Sequence, residues 1–232
     1  MRLLFIPGFG EDPSIFSSIQ DHLPGEKVFL DYWELLGKEP RPELNPLLFA
    51  EELVEQYGIT SHDVVIGHST GGWVAYYIKH LVNCPIVQIA SWTDMDRVVS
   101  PVQNRHLIYS FVKRGLYFNP LVRHYIVWKK YRNKPSAGIF NSVFKRLSRE
   151  DSYKVINQMR LIFNPGYVKL KVQPDLRIHA REDSIILFPD QYAVEVPGDH
   201  FSLWTYPEEV YSPIVKFLEE QQAKNQHAKG KP

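Results

Sequence analysis

A serine hydroxyl is a poor nucleophile at neutral pH, so a chain that uses one must also supply a base for its proton and a carboxylate to hold that base. In this 232-residue sequence Ser69, Asp183 and His200 have the right chemistry in a workable order. Ser69 lies in Gly67-His68-Ser69-Thr70-Gly71, a G-x-S-x-G pentapeptide. Between a strand and a helix, that pattern lifts a serine to the apex of a strained turn, above the strand ends. Gly67 and Gly71 flank it because a side chain at either place would strike the backbone folding back beside it. The attacked carbonyl also needs two donors for its oxyanion. The Thr70 N–H, at a helix N-terminus, supplies one. The Phe9 N–H, in the tight Gly8-Phe9-Gly10 loop, is assigned as the other.

The surrounding elements must bring these groups together. Met1 to Pro7 reads as a first strand, and Asp12-Pro13 as the cap and first position of a helix running to about Leu23. A second strand spans Lys27 to Trp33. Leu47 to Tyr57 carries an apolar face at helical spacing and ends at Gly58. Asp63 to Ile66 is the strand before the serine, and Val74 to Leu81 supplies the stripe of the following helix. Pro85 to Ser91, Leu176 to Ala180 and Tyr192 to Val196 are further strands, and Pro207 opens a closing helix. Alternation of strand and helix argues for an α/β fold with a mostly parallel sheet covered on both faces. Asp183 and His200 each follow a late strand, so all three groups project from one end of that sheet.

Alternation stops between Trp92 and Pro174. Amphipathic, aromatic-rich stretches at Leu107–Leu116, Leu121–Tyr131 and Ile139–Leu147, broken at Asn119-Pro120, Lys134-Pro135 and Asn164-Pro165, read as an inserted helical cap. The division is a core of residues 1–91 and 175–222, a cap of 92–174 and a disordered tail of 223–232. Cap aromatics such as Phe111, Tyr117, Trp128 and Phe144 are expected mostly in its core, with some lining an acyl pocket. From Asp96 to Lys169, fifteen Lys and Arg residues face only Asp96, Glu150 and Asp151, although the whole chain is +1. Such asymmetry either solvates helix faces or docks an acidic partner, such as an acyl carrier protein, or an anionic membrane surface. No recognition module for nucleic acid accompanies it.

Asp94, just after the preceding strand, is the rival for the acid, because some members of the α/β-hydrolase superfamily, which the serine pentapeptide resembles, place it there. His68 suits a helper of loop geometry better than a second base. The histidines lack metal-ligand spacing, and Pro13 stands where a dinucleotide fingerprint needs its third glycine, so neither metal nor cofactor is expected. One cysteine, Cys84, excludes an internal disulfide and suits a reducing, cytoplasmic setting. No apolar run reaches the roughly 18 residues of a membrane helix.

Over nearly its whole length the chain resembles the α/β-hydrolase superfamily. The resemblance is carried by Phe5-Ile6-Pro7-Gly8-Phe9-Gly10, the serine pentapeptide, Arg181-Glu182-Asp183 and Gly198-Asp199-His200-Phe201. Its layout is similar to small capped carboxylesterases, including the pimeloyl-carrier-protein methyl ester esterases. That implies a serine esterase acting on a carboxylic ester or thioester with an apolar acyl group. Lyases, carbon–carbon hydrolases and non-catalytic ligand binders on the same scaffold are the alternatives. Two departures stand out. Pro7 replaces a histidine that often supports the oxyanion loop. Asp199 replaces a glycine and brings a carboxylate beside the base.

Overall fold

The structure is a computed structural model, and it describes residues 1–99, 104–164, 170–190 and 192–229, with side chains to 224. Six strands form one parallel sheet in the order β2-β1-β3-β4-β5-β6. They are β1 (Arg2–Ile6), β2 (Glu26–Phe29), β3 (Val64–His68), β4 (Ile86–Ile89), β5 (Leu176–Ala180) and β6 (Val194–Val196). The helices are α1 (Trp33–Leu36), α2 (Pro46–Tyr57), α3 (Thr70–Val82), α4 (Arg105–Lys113), α5 (Pro120–Ile126), α6 (Ala137–Leu147), α7 (Ser152–Phe163), α8 (Ser202–Thr205) and α9 (Pro207–Lys229).

The central strands are buried on both faces, as a parallel sheet under helices must be. Alternation along each strand divides the interior into two layers. Leu4, Ile6 and Val65 face a layer built with α2, α3 and α7, while Leu3, Phe5, Val64 and Ile66 face one built with α9. After β2 the chain crosses β1 to enter β3 on its other side. The strand order therefore reverses between β1 and β3, where open α/β sheets leave a crevice at the strands' carboxyl ends.

Several expectations need correction. The helix expected over Asp12–Leu23 is two short 3₁₀ turns, Pro13–Phe16 and Gln20–His22. Asp12 does cap the first, but Ser17-Ser18 interrupts it, and the Ser18 hydroxyl donates to the Leu203 carbonyl at 2.6 Å. The second strand stops at Phe29, and Trp33 already opens α1, because Tyr32 and Trp33 turn inward to support the loop after β1. The tail expected to be disordered from residue 223 continues α9 as far as Lys229. No proline or glycine interrupts that stretch, and it is rich in good helix formers. Trp128 is exposed rather than core, while Tyr131 takes the inward position of the same π-helical turn, Val127–Tyr131. Residues 230–232 of the tail and Pro165 of the expected break lie outside the described residues.

Between β4 and β5, α4 to α6 occupy the stretches expected to be helical, and α7 adds a helix that was not singled out. Its signal was present: Asp151 caps it through the Tyr153 and Lys154 amides, and Val155, Ile156, Met159 and Ile162 form its apolar face. The α7 helix packs against α1, α2 and α3, and residues of α4, α6 and α7 share one apolar cluster with the sheet.

Candidate active site

Ser69 follows β3 directly, with backbone angles φ 51° and ψ −121° that a non-glycine residue adopts only when its surroundings force it. The forcing groups are visible. A Cβ on Gly71 would sit 1.9 Å from the Ile6 carbonyl oxygen, and one on Gly67 would sit 2.4 Å from Gly71 backbone. The Ser69 N–H donates to Ile89 O at 2.9 Å, and its carbonyl accepts from the Gly72 and Trp73 amides, so the turn is bonded on both sides.

The three candidate side chains meet. Ser69 Oγ lies 2.9 Å from His200 Nε2, and His200 Nδ1 lies 2.7 Å from Asp183 Oδ2. With a carboxylate accepting at Nδ1, the ring donates there and presents its Nε2 lone pair to the serine hydroxyl. Asp183 Oδ1 accepts from the Ile185 and Ile186 amides at 2.8 and 2.9 Å, and His179 Nε2 stands 3.4 Å from Oδ2. Burial by itself would raise the Asp183 pKa. The charge and hydrogen bonds of His200 and His179 outweigh it and hold the carboxyl well below the usual carboxylate range. The acid loop is also pinned from outside by an antiparallel bridge between Val98 and Ile186. Asp94, the rival acid, is exposed and caps the Met95–Arg97 turn through the Asp96 amide.

The loop after β1 is held by residues that local sequence patterns do not mark. Gly8 N–H donates to Glu11 Oε2 at 2.6 Å and Gly10 N–H to Gln158 Oε1 at 3.0 Å. The Tyr32 hydroxyl donates to the Pro7 carbonyl at 2.9 Å and accepts from Gln158 Nε2 at 2.9 Å, while Trp33 Nε1 donates to the Glu11 carbonyl at 2.8 Å. Tyr32 and Gln158 thus brace the segment that Pro7 leaves without a histidine. Within this bracing neither the Phe9 nor the Thr70 N–H has a hydrogen-bond partner among the described residues.

His68 reaches Glu11 through Nδ1 and the His200 carbonyl through Nε2. Asp199 is not directed at the base. Its carboxylate accepts from the Phe201 amide and the Ser136 hydroxyl and lies 3.8 Å from Lys134 Nζ, which fastens the start of α6 to the histidine loop. A chain of ring contacts runs from Phe9 through Phe118, Phe144, Phe140 and Tyr131 to Phe201, next to the candidate base. Cys84 is buried, and burial pushes its thiol up to about 12, so it is no nucleophile. Among the described residues, no group of three or more His, Cys, Asp or Glu is placed to hold a metal ion, and no helix is long and apolar enough to cross a membrane.

Neither a protein-family model nor a curated protein matches the chain. Solved structures do. An esterase from Thermogutta terrifontis is 17% identical with a TM-score of 0.67, covering 95% of this chain and 90% of its own. A hydrolase from Oleispira antarctica is 14% identical with a TM-score of 0.71, covering 94% and 90%. A bromoperoxidase from Bacillus anthracis is 13% identical with a TM-score of 0.65, covering 94% and 91%. With the parallel sheet, the strained serine after β3 and matches over nine-tenths of both chains, the protein has the α/β-hydrolase fold.

Proposed function

We propose that the protein is a serine hydrolase of carboxylic esters or thioesters with an apolar acyl part. One observation carries the reading: the buried hydrogen-bonded series from Ser69 Oγ to His200 to Asp183, at 2.9 and 2.7 Å. Ser69 Oγ attacks the carbonyl carbon while His200 Nε2 takes the hydroxyl proton. The oxyanion accepts from the Phe9 and Thr70 amides. The bond to the leaving oxygen or sulfur then breaks, and His200 returns the proton to it. Water attacks the acyl-enzyme with the same histidine as base, releasing the acid and restoring Ser69. The names of the structural neighbours, esterases and a hydrolase among them, support ester hydrolysis. The aromatic series from Phe9 to Phe144 supports an apolar acyl group.

The test is Ser69→Ala against short p-nitrophenyl esters, with fluorophosphonate labelling of the wild type. Turnover and labelling should both vanish in the variant while its fold persists. Full turnover by the variant would end the reading. Turnover without labelling of the wild type would move the protein to a lyase or carbon–carbon hydrolase. Binding without turnover would make it a ligand-binding homologue.

The charge of the helical region supports a partner for the same reaction. Residues 97–149 contain twelve Lys and Arg and no Asp or Glu. In their midst Leu121, Tyr125 and Trp128 are 82%, 54% and 57% exposed, with Lys129, Lys130 and Arg132 exposed beside them. An apolar ridge with basic flanks fits an acidic protein presenting the acyl ester, whose charge would steer it onto this face. KM for a carrier-bound ester should rise with salt while that for the free ester holds. Equal salt responses would remove the partner, and salt-sensitive binding to anionic vesicles without preference for the carrier would assign the face to lipid.

A further inference from the structure

His68 precedes the candidate nucleophile yet points away from the reacting atoms. Its ring is fully buried, and both of its nitrogens face oxygens. Nδ1 lies 2.8 Å from Glu11 Oε2, which already accepts the Gly8 N–H at 2.6 Å. Nε2 lies 2.9 Å from the backbone carbonyl of His200, a group that can only accept. A neutral ring has one protonated nitrogen and one lone pair. Because Glu11 Oε2 already acts as an acceptor for Gly8, either neutral tautomer would press a lone pair against an acceptor oxygen at under 3 Å. Two donors are needed, and an imidazolium has two.

We propose that His68 carries a proton on both ring nitrogens and, as a buried cation held by the Glu11 carboxylate, positions the Gly8–Glu11 loop and the His200 loop relative to each other. This rests on the hydrolase reading above, in which the first loop supplies an oxyanion donor and the second the base. The pair joins groups at positions 8, 11, 68 and 200, so one internal ion pair sets the spacing between Phe9 and His200 from beneath. His68 touches no reacting atom and is a positioning residue. The groups facing it are Glu11, the His200 backbone and ring, the more distant Asp183 and the Phe201 ring. Burial pushes its pKa down; the Glu11 charge and hydrogen bond, the His200 carbonyl and Asp183 push it up, and the net direction is up. Pairing makes the burial tolerable, since a buried imidazolium without Glu11 would lose its proton.

The direct test is nitrogen-15 NMR of the full-length protein labelled at histidine, which reads ring protonation without any activity. One ring, identified by its loss in His68→Gln, should show both nitrogens protonated at a pH where exposed histidines, near about 6.5, are already neutral. In Glu11→Gln, which keeps the side chain's shape and its capacity to accept, that signal should become singly protonated at neutral pH. Its kcat should fall about 10- to 100-fold with KM little changed, because a small misplacement of reacting groups is felt mainly in the chemical step. A singly protonated His68 in the wild type, with the shared proton on Glu11, overturns the proposal even if the variants do not fold. So does a Glu11→Gln enzyme with wild-type kcat. If Ser69→Ala keeps full turnover while the doubly protonated ring is observed, the hydrolase reading fails and the buried cation stands.

Discussion

The floor and the roof of the candidate site are held by different forces. The floor consists of the loops after β1, β3, β5 and β6, and nearly every polar atom in it is aimed at another. Glu11, His68, Asp183, His200 and Gln158 are buried and bonded to backbone amides, carbonyls or each other. The roof, from α4 to α6, is held by aromatic contacts and by a few side-chain ties at its edge, such as Arg146 to Asp12 and Lys130 Nζ to the Ser184 carbonyl. Leu121, Tyr125 and Trp128 face outward, and the Ser136–Asp199 hydrogen bond with the nearby Lys134 is its main polar tie to the histidine loop. Directional bonds set positions to fractions of an ångström, whereas apolar contacts tolerate sliding and repacking. The floor is therefore the more precisely positioned of the two, and the roof the more adaptable.

The comparison can be broken by substitutions on either side. On the floor, Asp183→Asn should lower kcat by about 10³- to 10⁴-fold with little change in KM, because the amide no longer fixes the ring tautomer. Steady-state kinetics on short esters would check it. On the roof, Phe144→Ala should cost about 3–5 kcal/mol in a denaturant titration yet leave turnover of short esters within about tenfold. A catalytic loss from Phe144→Ala as deep as that from Asp183→Asn would abolish the distinction.

A pH series sharpens it. The His68 pKa is raised in the folded state, so its contribution to stability is complete below the unfolded value of about 6.5 and is lost as pH rises through the folded one. The denaturation midpoints of wild type and His68→Gln should differ most in acid and converge as pH rises. A constant gap would assign the loss to packing alone. The smallest effect is expected at the outer surface. Trp128→Ala should change stability by no more than about 0.5 kcal/mol, and its consequence should be confined to carrier-bound substrate, read as KM.

Much of this was legible before any coordinates. Short continuous apolar runs mark the central strands, and period-3.6 patterns with glycine and proline punctuation mark the helices α2, α3, α6 and α9, because those residues respond to which faces are buried. Ser69, Asp183 and His200 could be singled out because each occupies a strand-to-loop junction where the α/β order leaves side chains at one end of the sheet. Two of the misreadings fall where a local preference was overruled from a distance. Ser18 bonds Leu203, and Tyr32 turns from the sheet toward Pro7.

What the sequence determined by itself is the layered scaffold and the identity of the groups that can react, since both follow from side-chain chemistry and short-range periodicity. Only the tertiary structure decided how those groups are braced. Glu11 under Gly8 and His68, Gln158 reaching the first loop from α7, and Asp199 tied to Ser136 rather than to the base are partnerships between residues 3 to 150 positions apart. A hydrogen bond depends on where two atoms lie in space, and no local pattern records that.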